Sequence, residues 1–415
     1  MKFLHCADLH LDSPLRGLAR RDGAPVGVLR GATRVALEQL VEVAEDEQVG
    51  AVVIAGDLYD ANRDDYQTAV FLQRQLHRLR DSGIRVVLAY GNHDAASEIT
   101  RRLSLPENTS VLPATDPGSV VLDDLGLACH GQSYPTRVVD QDLSAGYPAP
   151  IPGLVNVGVL HTSLDGRPGH DRYAPCTVEG LVRRGYAYWA LGHVHQREAH
   201  VRDTVHIVFP GNLCGRDVGE TGAKGATVVE HDGETVTSTT AVELAPVRWH
   251  RLRVDAPDAV SVAEITEAVL GRLDGVRRSS PAALHAVRVT VDAGPRARGE
   301  WARHAEQCEV QLRADAAGGD GAVWIEQIAL HPASDAAVAV SDEAMAAVAG
   351  TVASWRSAAA GDGRLVELLG ALRSRFGAER DEAVRLGALG LDDASLPSLV
   401  DEAEALLAAE LRGGG

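Results

Sequence analysis

The sequence predicts an α/β fold, and three observations carry that prediction. Through the first half of the 415-residue chain, short apolar runs alternate with longer stretches of helical periodicity. The runs are four to six residues long and rich in Val, Ile, Leu and Ala, the length and make-up of buried strands. Five short polar motifs each follow directly on such a run, at the strand ends where α/β sheets gather their ligands.

Lys2–Cys6 reads as the first strand. Thr33–Gln48 sets Val35, Leu37, Leu40, Val41 and Ala44 on one helical face. Ala51–Ala55 (AVVIA) is a buried strand. Tyr66–Ser82, with Val70, Phe71, Leu72, Leu76 and Leu79, is a second helix that Gly83 would stop. Arg85–Tyr90, Val155–Leu160, Tyr186–Leu191 and His206–Phe209 are further strands, and Ala226–Glu230 with Thr235–Ala241 resemble a hairpin around Asp232-Gly233.

Composition shifts near Ala245-Pro246. From there to about Pro332 the pattern is βαβαβ: strands Arg248–Val254, Ala286–Val291 and Val323–Leu330, helices Val262–Asp274 and Ala297–Cys308. The tail from about Ala333 is rich in Ala, Leu and Glu, and Arg364–Phe376 and Ser398–Leu411 have amphipathic helical spacing. The expected domains are therefore 1–245, a small α+β domain over 246–332, and a helical C-terminal region over 333–415. The amphipathic face of that last region suits either a solvated surface or a partner helix.

Apolar residues make up 45% of the chain, enough for a core without disulfides. The cysteines Cys6, Cys129, Cys176, Cys214 and Cys308 are odd in number and form no CxxC pair, so the expectation is reduced thiols in a cytoplasmic protein. An aspartate and two histidines stand too early in MKFLHCADLHL for a signal peptide, and no apolar run approaches the ~20 residues of a membrane span. The net charge of -18 argues against broad adhesion to nucleic acid, but not against a local cationic site, since bound metals bring their own charge.

The polar motifs are Ala7-Asp8-Leu9-His10, Gly56-Asp57-Leu58-Tyr59-Asp60, Gly91-Asn92-His93-Asp94, His161-Thr162-Ser163 and Gly192-His193-Val194-His195. Their strand-end positions bring them to one sheet edge although they are far apart in sequence. Asp8, His10, Asp57, Asn92, His161, His193 and His195 are hard-to-borderline donors that suit Mn, Fe or Zn better than Mg alone. Seven donors exceed the needs of one ion and serve two if Asp57 is shared. Asp8/His10 and His193/His195 are i, i+2 pairs, which in extended chain would face the same side. Glycines before Asp57, Asn92 and His193 allow tight turns inward.

These motifs resemble the calcineurin-like metallophosphoesterase superfamily. Their fuller context, HCADLHLDSPLRGL, GNHDAASEITR, HTSLDGRPGHD and YWALGHVHQRE, is similar to the SbcD-like DNA repair exonucleases, most closely the YhaO branch, over roughly residues 1–245. The resemblance implies a sandwich of two β-sheets flanked by helices, with a small capping domain. It implies two divalent metals, manganese foremost with Fe, Zn or Mg as alternatives. Asp8, His10, Asp57 and His195 would hold one, and Asp57, Asn92, His161 and His193 the other. His93 would act in catalysis on the leaving oxygen, with Asp94 orienting it. Arg197 is a candidate phosphate contact. So is Asp60, which stands where archaeal and eukaryotic family nucleases carry a histidine; it would alternatively orient water or His10. The implied partners are DNA, an SMC-like coiled-coil ATPase and a second copy of the chain.

A single strand histidine is usually a satisfied structural group, and His5, His130, His170, His200 and His206 are read that way; the ordered set of motifs is what makes His161 a candidate ligand. Cys6 reads as core filler, a solvated surface suits Arg197 as well as a phosphate does, and Arg101 and Arg102 are weaker phosphate candidates than Arg197. Three functions fit the residues: a Mn-dependent DNA nuclease in repair, a phosphodiesterase or phosphatase on a small nucleotide, and an assembly subunit of an ATPase complex.

Overall fold

Ala51–Ala55 (β2) has five buried side chains because both of its faces are covered, and that is why its run is continuously apolar. Val52 and Ile54 pack toward the helices, while Ala51, Val53 and Ala55 pack toward a second sheet. The computed structural model describes residues 1–15, 23–60, 66–95, 104–164, 173–280, 282–318 and 322–333. The expected helices Arg364–Phe376 and Ser398–Leu411, as well as Arg101, Arg102 and His170, lie outside the described residues.

The first sheet has the order β12-β11-β1-β2-β3-β4. It comprises β1 (Lys2–Cys6), β2, β3 (Arg85–Ala89), β4 (Thr109–Val111), β11 (Gly225–His231) and β12 (Val236–Glu243). β1 to β4 run parallel, and β11 and β12 add antiparallel beside β1. The second sheet has the order β5-β6-β7-β8-β10-β9. Its strands are β5 (Gly118–Leu122), β6 (Leu127–Gly131), β7 (Val155–His161), β8 (Tyr188–Gly192), β9 (Glu198–Arg202) and β10 (Val205–Phe209). Val53, Val87, Val157, Val159, Tyr188 and Ala190 fill the space between the two sheets.

Helices α1 (Val26–Asp46) and α2 (Tyr66–Asp81) cover the other face of the first sheet. The first begins earlier than Thr33 because Leu29 and Ala32 continue the buried stripe of Leu37, Leu40 and Val41. The second stops at Gly83, whose φ of 73° lets Ile84 N–H return to Leu79 C=O at 2.8 Å. Strands β4, β5, β6 and β9 lie in stretches that gave no strand signal. In β6, Leu-Ala-Cys-His-Gly is buried throughout, yet its composition carries no β signature.

Beyond β12 the expected βαβαβ order recurs, with β13 (Val247–Ala256), α5 (Val262–Arg278), β14 (Leu284–Ala293) and β15 (Ala322–Pro332); α3 (Asn92–Ala95) and α4 (Val178–Arg183) are short. The helix expected over Ala297–Cys308 is two, α6 (Pro295–Arg303) and α7 (Ala305–Ala317), broken at His304, whose φ of -136° is not helical. Strands β13, β14 and β15 form a third sheet.

The chain packs into two compact units. One comprises Met1–Leu252, Val269–Thr290 and Glu309–Ile328, and within it Trp249 and Trp324 meet edge to face at 6.1 Å. The other includes Arg253–Ala268 and Val291–Cys308, where Glu300 accepts from Val262 N–H at 3.2 Å. No described helix is long and apolar enough to cross a membrane.

Candidate metal centre

All five motifs lie in the first unit, and parallel register brings them together. Cys6, Ile54 and Leu88 are level across β1, β2 and β3, so the loops that follow leave the sheet at one edge. In the facing sheet His161 ends β7 opposite Gly192, the last residue of β8. The β1 and β2 loops then run side by side: Asp8 N–H donates to Gly56 C=O at 3.0 Å and His10 N–H to Asp57 C=O at 3.1 Å.

Asp8, His10, Asp57 and His193 have φ of 51°, 42°, 57° and 97°, a left-handed conformation that residues with a Cβ avoid. The Asp8/His10 pair therefore converges through tight left-handed turns, not through extended chain as the i, i+2 spacing suggested. Such backbone strain persists where surrounding structure over-determines it, and it concentrates at functional sites. Gly91 is needed for a different reason: a Cβ there would overlap Oδ1 of Asp57.

Asp57 is the hub and is only 2% exposed. Its Oδ2 lies 3.4 Å from His161 Nε2, 3.8 Å from His10 Nε2 and 4.0 Å from His93 Nε2. Asp8 Oδ1 stands 4.0 Å from both His161 Nδ1 and His195 Nε2, so Asp8 borders both halves of the cluster. Asn92 Oδ1 meets His161 Nε2 at 2.9 Å, and the His193 ring lies 5.2 Å from that of His161. The donor atoms of Asp8, His10 and His195, and those of Asp8, Asp57 and His161, each fall within 4.8 Å of one another.

The outer contacts test whether this set suits cations. His10 Nδ1 faces Asp60 Oδ1 at 2.8 Å, His195 Nδ1 faces Glu220 Oε1 at 2.7 Å, and His161 Nδ1 faces Ala55 C=O at 3.0 Å. In His10 and His195 the carboxylate fixes the ring proton on Nδ1 and turns the Nε2 lone pair inward. His10 Nε2 and His195 Nε2 then point at each other across 3.1 Å. Two lone pairs at that separation repel unless a positive charge lies between them, so the donor set fits a bound cation.

The electrostatics agree. Burial opposes ionisation of Asp57, but the rings of His161, His10 and His93 hold its carboxyl below the usual range. Burial disfavours charge on His161, but Asp57 and then Asp8 outweigh it and push its pKa up to about 9. The two carboxylates thus favour positive charge beside them.

His93 is 31% exposed and lines a cleft of about 670 Å³ together with Asp57, Asn92, Arg137, Tyr173 and Lys224. Burial lowers its pKa, with Asp57 acting the other way. The pairing expected with Asp94 takes another form. Asp94 Oδ1 accepts from Leu58 N–H at 2.9 Å and its Oδ2 from Gly91 N–H at 3.0 Å, so this carboxylate ties two ligand loops together. Among the described residues, Asp60 brings a carboxylate oxygen to 3.6 Å from His93 Nδ1. Asp60 Oδ2 also accepts from Ser13 Oγ at 2.5 Å, which makes Asp60 a support of His10 more than a phosphate contact. Arg197 turns to the Thr227 hydroxyl and is not among the residues lining the cleft.

Sequence reasoning missed Arg216, Glu220 and Lys224. They lie between β10 and β11 in a stretch with no apolar period and no recognised motif. The one available signal was two cations and a carboxylate in a glycine-rich loop.

Residues 1–197 match the profile of the calcineurin-like phosphoesterases, and residues 249–332 match the middle domain of the metallophosphoesterase YhaO. The chain is 30% identical over 291 residues to YhaO of Bacillus subtilis, covering 69% of this chain and 71% of that protein. The chain belongs to the calcineurin-like metallophosphoesterase family. This phosphoesterase is also similar to two more distant members. It is 26% identical over 214 residues to the DNA double-strand break repair protein Mre11 of Methanopyrus kandleri, covering 47% of this chain and 44% of that protein. It is 25% identical over 268 residues to the SbcD component of the nuclease SbcCD of Bacillus subtilis, covering 55% of this chain and 66% of that protein. The family uses a dimetal centre, and the His/Asp clusters of this phosphoesterase are of the kind that holds one.

Proposed function

We propose that the chain is a phosphodiesterase that hydrolyses DNA with two divalent cations, manganese foremost, and that it serves DNA repair in the cytoplasm. The observation that carries this reading is Asp57 facing His161 and His10, with Nε2 atoms turned toward it from both sheets. Asp8, His10, Asp57 and His195 hold one cation, and Asp57, Asn92, His161 and His193 the other. Bound divalent pairs supply Lewis acidity and an acidified water for in-line displacement at phosphorus. His93, open to the cleft, hydrogen-bonds the scissile phosphate and, in its protonated form, gives the imidazolium proton to the leaving oxygen as it departs. Lys224 and Arg137 line the same cleft and attract a phosphate despite the net charge of -18. DNA as the substrate is supported by the similarity to Mre11 and SbcD, and five thiols free of disulfides suit a reducing compartment. An SMC-like coiled-coil ATPase partner and self-association are part of the same reading.

The test is digestion of end-labelled single- and double-stranded DNA with Mn²⁺, beside Asn92→Ala. Cleavage by the wild type and none by the variant is expected; no metal-dependent cleavage of either substrate overturns the reading. The acidic charge and a cleft of nucleotide size, about 670 Å³, favour a second reading, a phosphodiesterase or phosphatase for a small nucleotide. Faster turnover of bis-p-nitrophenyl phosphate or a cyclic nucleotide than of DNA would select it.

A further inference from the structure

We propose that Ser119 is a nucleophilic hydroxyl, with His130 as its base, and that it is a site of covalent modification by activated carboxylic esters. Asn156, which faces the other side of the His130 ring, is the second residue of β7, and the ligand His161 is its last. The site therefore stands at the other end of that strand from the cation ligands.

The three residues lie on adjacent strands, Ser119 on β5, His130 on β6 and Asn156 on β7. Leu127, Cys129, Val155 and Val157 turn to the core between the sheets. His130 and Asn156 are each one position over from such residues and so turn to the opposite face. Ser119 is the cross-strand partner of His130 in the β5–β6 register. On that face Tyr186 stacks on the His130 ring, with centroids 4.7 Å apart and planes at 19°, and His130 is buried. Ser119 is exposed.

Backbone contacts decide where the protons lie. Asn156 Nδ2 donates to Leu154 C=O at 2.8 Å and to Ile151 C=O at 3.0 Å, while Oδ1 accepts from Ile151 N–H at 2.7 Å. These three contacts fix the amide, so the atom facing His130 Nε2 at 2.8 Å is Oδ1, which can only accept. His130 therefore carries its proton on Nε2, and its Nδ1 lone pair faces Ser119 Oγ at 2.7 Å. The Ser119 O–H donates to that lone pair. Burial holds the His130 pKa below its ordinary value of 6.5, so the ring is neutral at pH 7 and free to take a proton. A hydroxyl on one imidazole nitrogen and a fixed acceptor on the other are the parts of an activated nucleophile. In the reaction Ser119 Oγ bonds to the acyl carbon as the ester C–O bond breaks. His130 Nδ1 takes the hydroxyl proton and passes it to the departing oxygen, leaving acyl-Ser119 and the free alcohol.

The test is exposure of the full chain to p-nitrophenyl acetate at neutral pH, with EDTA to keep divalent cations from hydrolysing the ester. Peptide mass spectrometry locates and times the acetylated positions. Ser279 is the internal reference: it is also exposed, but its hydroxyl donates at 2.7 Å to Val276 C=O, which is no base. Ser119 should be acetylated about 10²–10⁴-fold faster than Ser279. His130→Gln should bring Ser119 down to the rate of Ser279. If that variant fails to fold, the ratio of the two serines in the wild type decides alone. Ser119 acetylated no faster than Ser279, or as fast in folded His130→Gln as in the wild type, overturns the inference and leaves the proposed function as it stands.

Discussion

Oδ2 of Asp57, just past β2, stands 3.4 Å from Nε2 of His161, at the end of β7 in the other sheet. This contact joins the two sheets at one edge, and Asp57 faces imidazoles from three different segments. Asp57→Asn should therefore abolish uptake of both ions while the strands on either side still pair. At a Mn²⁺ concentration of about 100 times Kd the wild type should gain ~2.7 kcal/mol of stability for each ion bound. The variant should gain none, read as the shift in urea midpoint with and without Mn²⁺.

His93 and Asp94 adjoin in sequence but do different things, and substitution should separate them. His93→Gln should lower kcat about 10²–10⁴-fold and leave the metal content, measured by elemental analysis, at the wild-type value. Asp94→Ala removes the acceptor for Leu58 and Gly91 N–H and should destabilise the chain by about 1–3 kcal/mol in urea denaturation. A stability loss in His93→Gln as large as that in Asp94→Ala would contradict this division.

Away from the centre, His250 Nε2 meets His285 Nδ1 at 3.1 Å. Burial first, then the charges of His285 and Arg248, lower the His250 pKa to about 4. The folded state thus binds this proton less readily than the unfolded state, whose histidine titrates near 6.5. The stability that the neutral ring contributes is complete above about 6.5 and is lost as pH falls from about 6.5 toward 4. For this half-buried group the loss between pH 7 and pH 5 should be about 1 kcal/mol after allowance for solvent screening. His250→Gln should show a correspondingly shallower fall in urea midpoint; an identical fall in both proteins would count against the assignment.

Local sequence was enough for strands β1, β2, β3, β7, β8 and β10, for the identity of the five motifs and for the family they resemble. Those features are local: AVVIA must be buried, and Asp57 follows it within two residues. Parallel strands then deliver each motif to the same edge. Tertiary structure alone decided what stands behind the motifs. Asp60 supports His10, Asp94 binds backbone amides, Arg197 turns to Thr227, and Glu220 reaches His195 across 25 positions. No period or spacing encodes such contacts, because a carboxylate's partner is set by where two loops meet in space. The left-handed turns at Asp8 and His10 were hidden for the same reason. Their cost is borne by hydrogen bonds from a neighbouring strand's loop, which the chain acquires only when the sheet has formed.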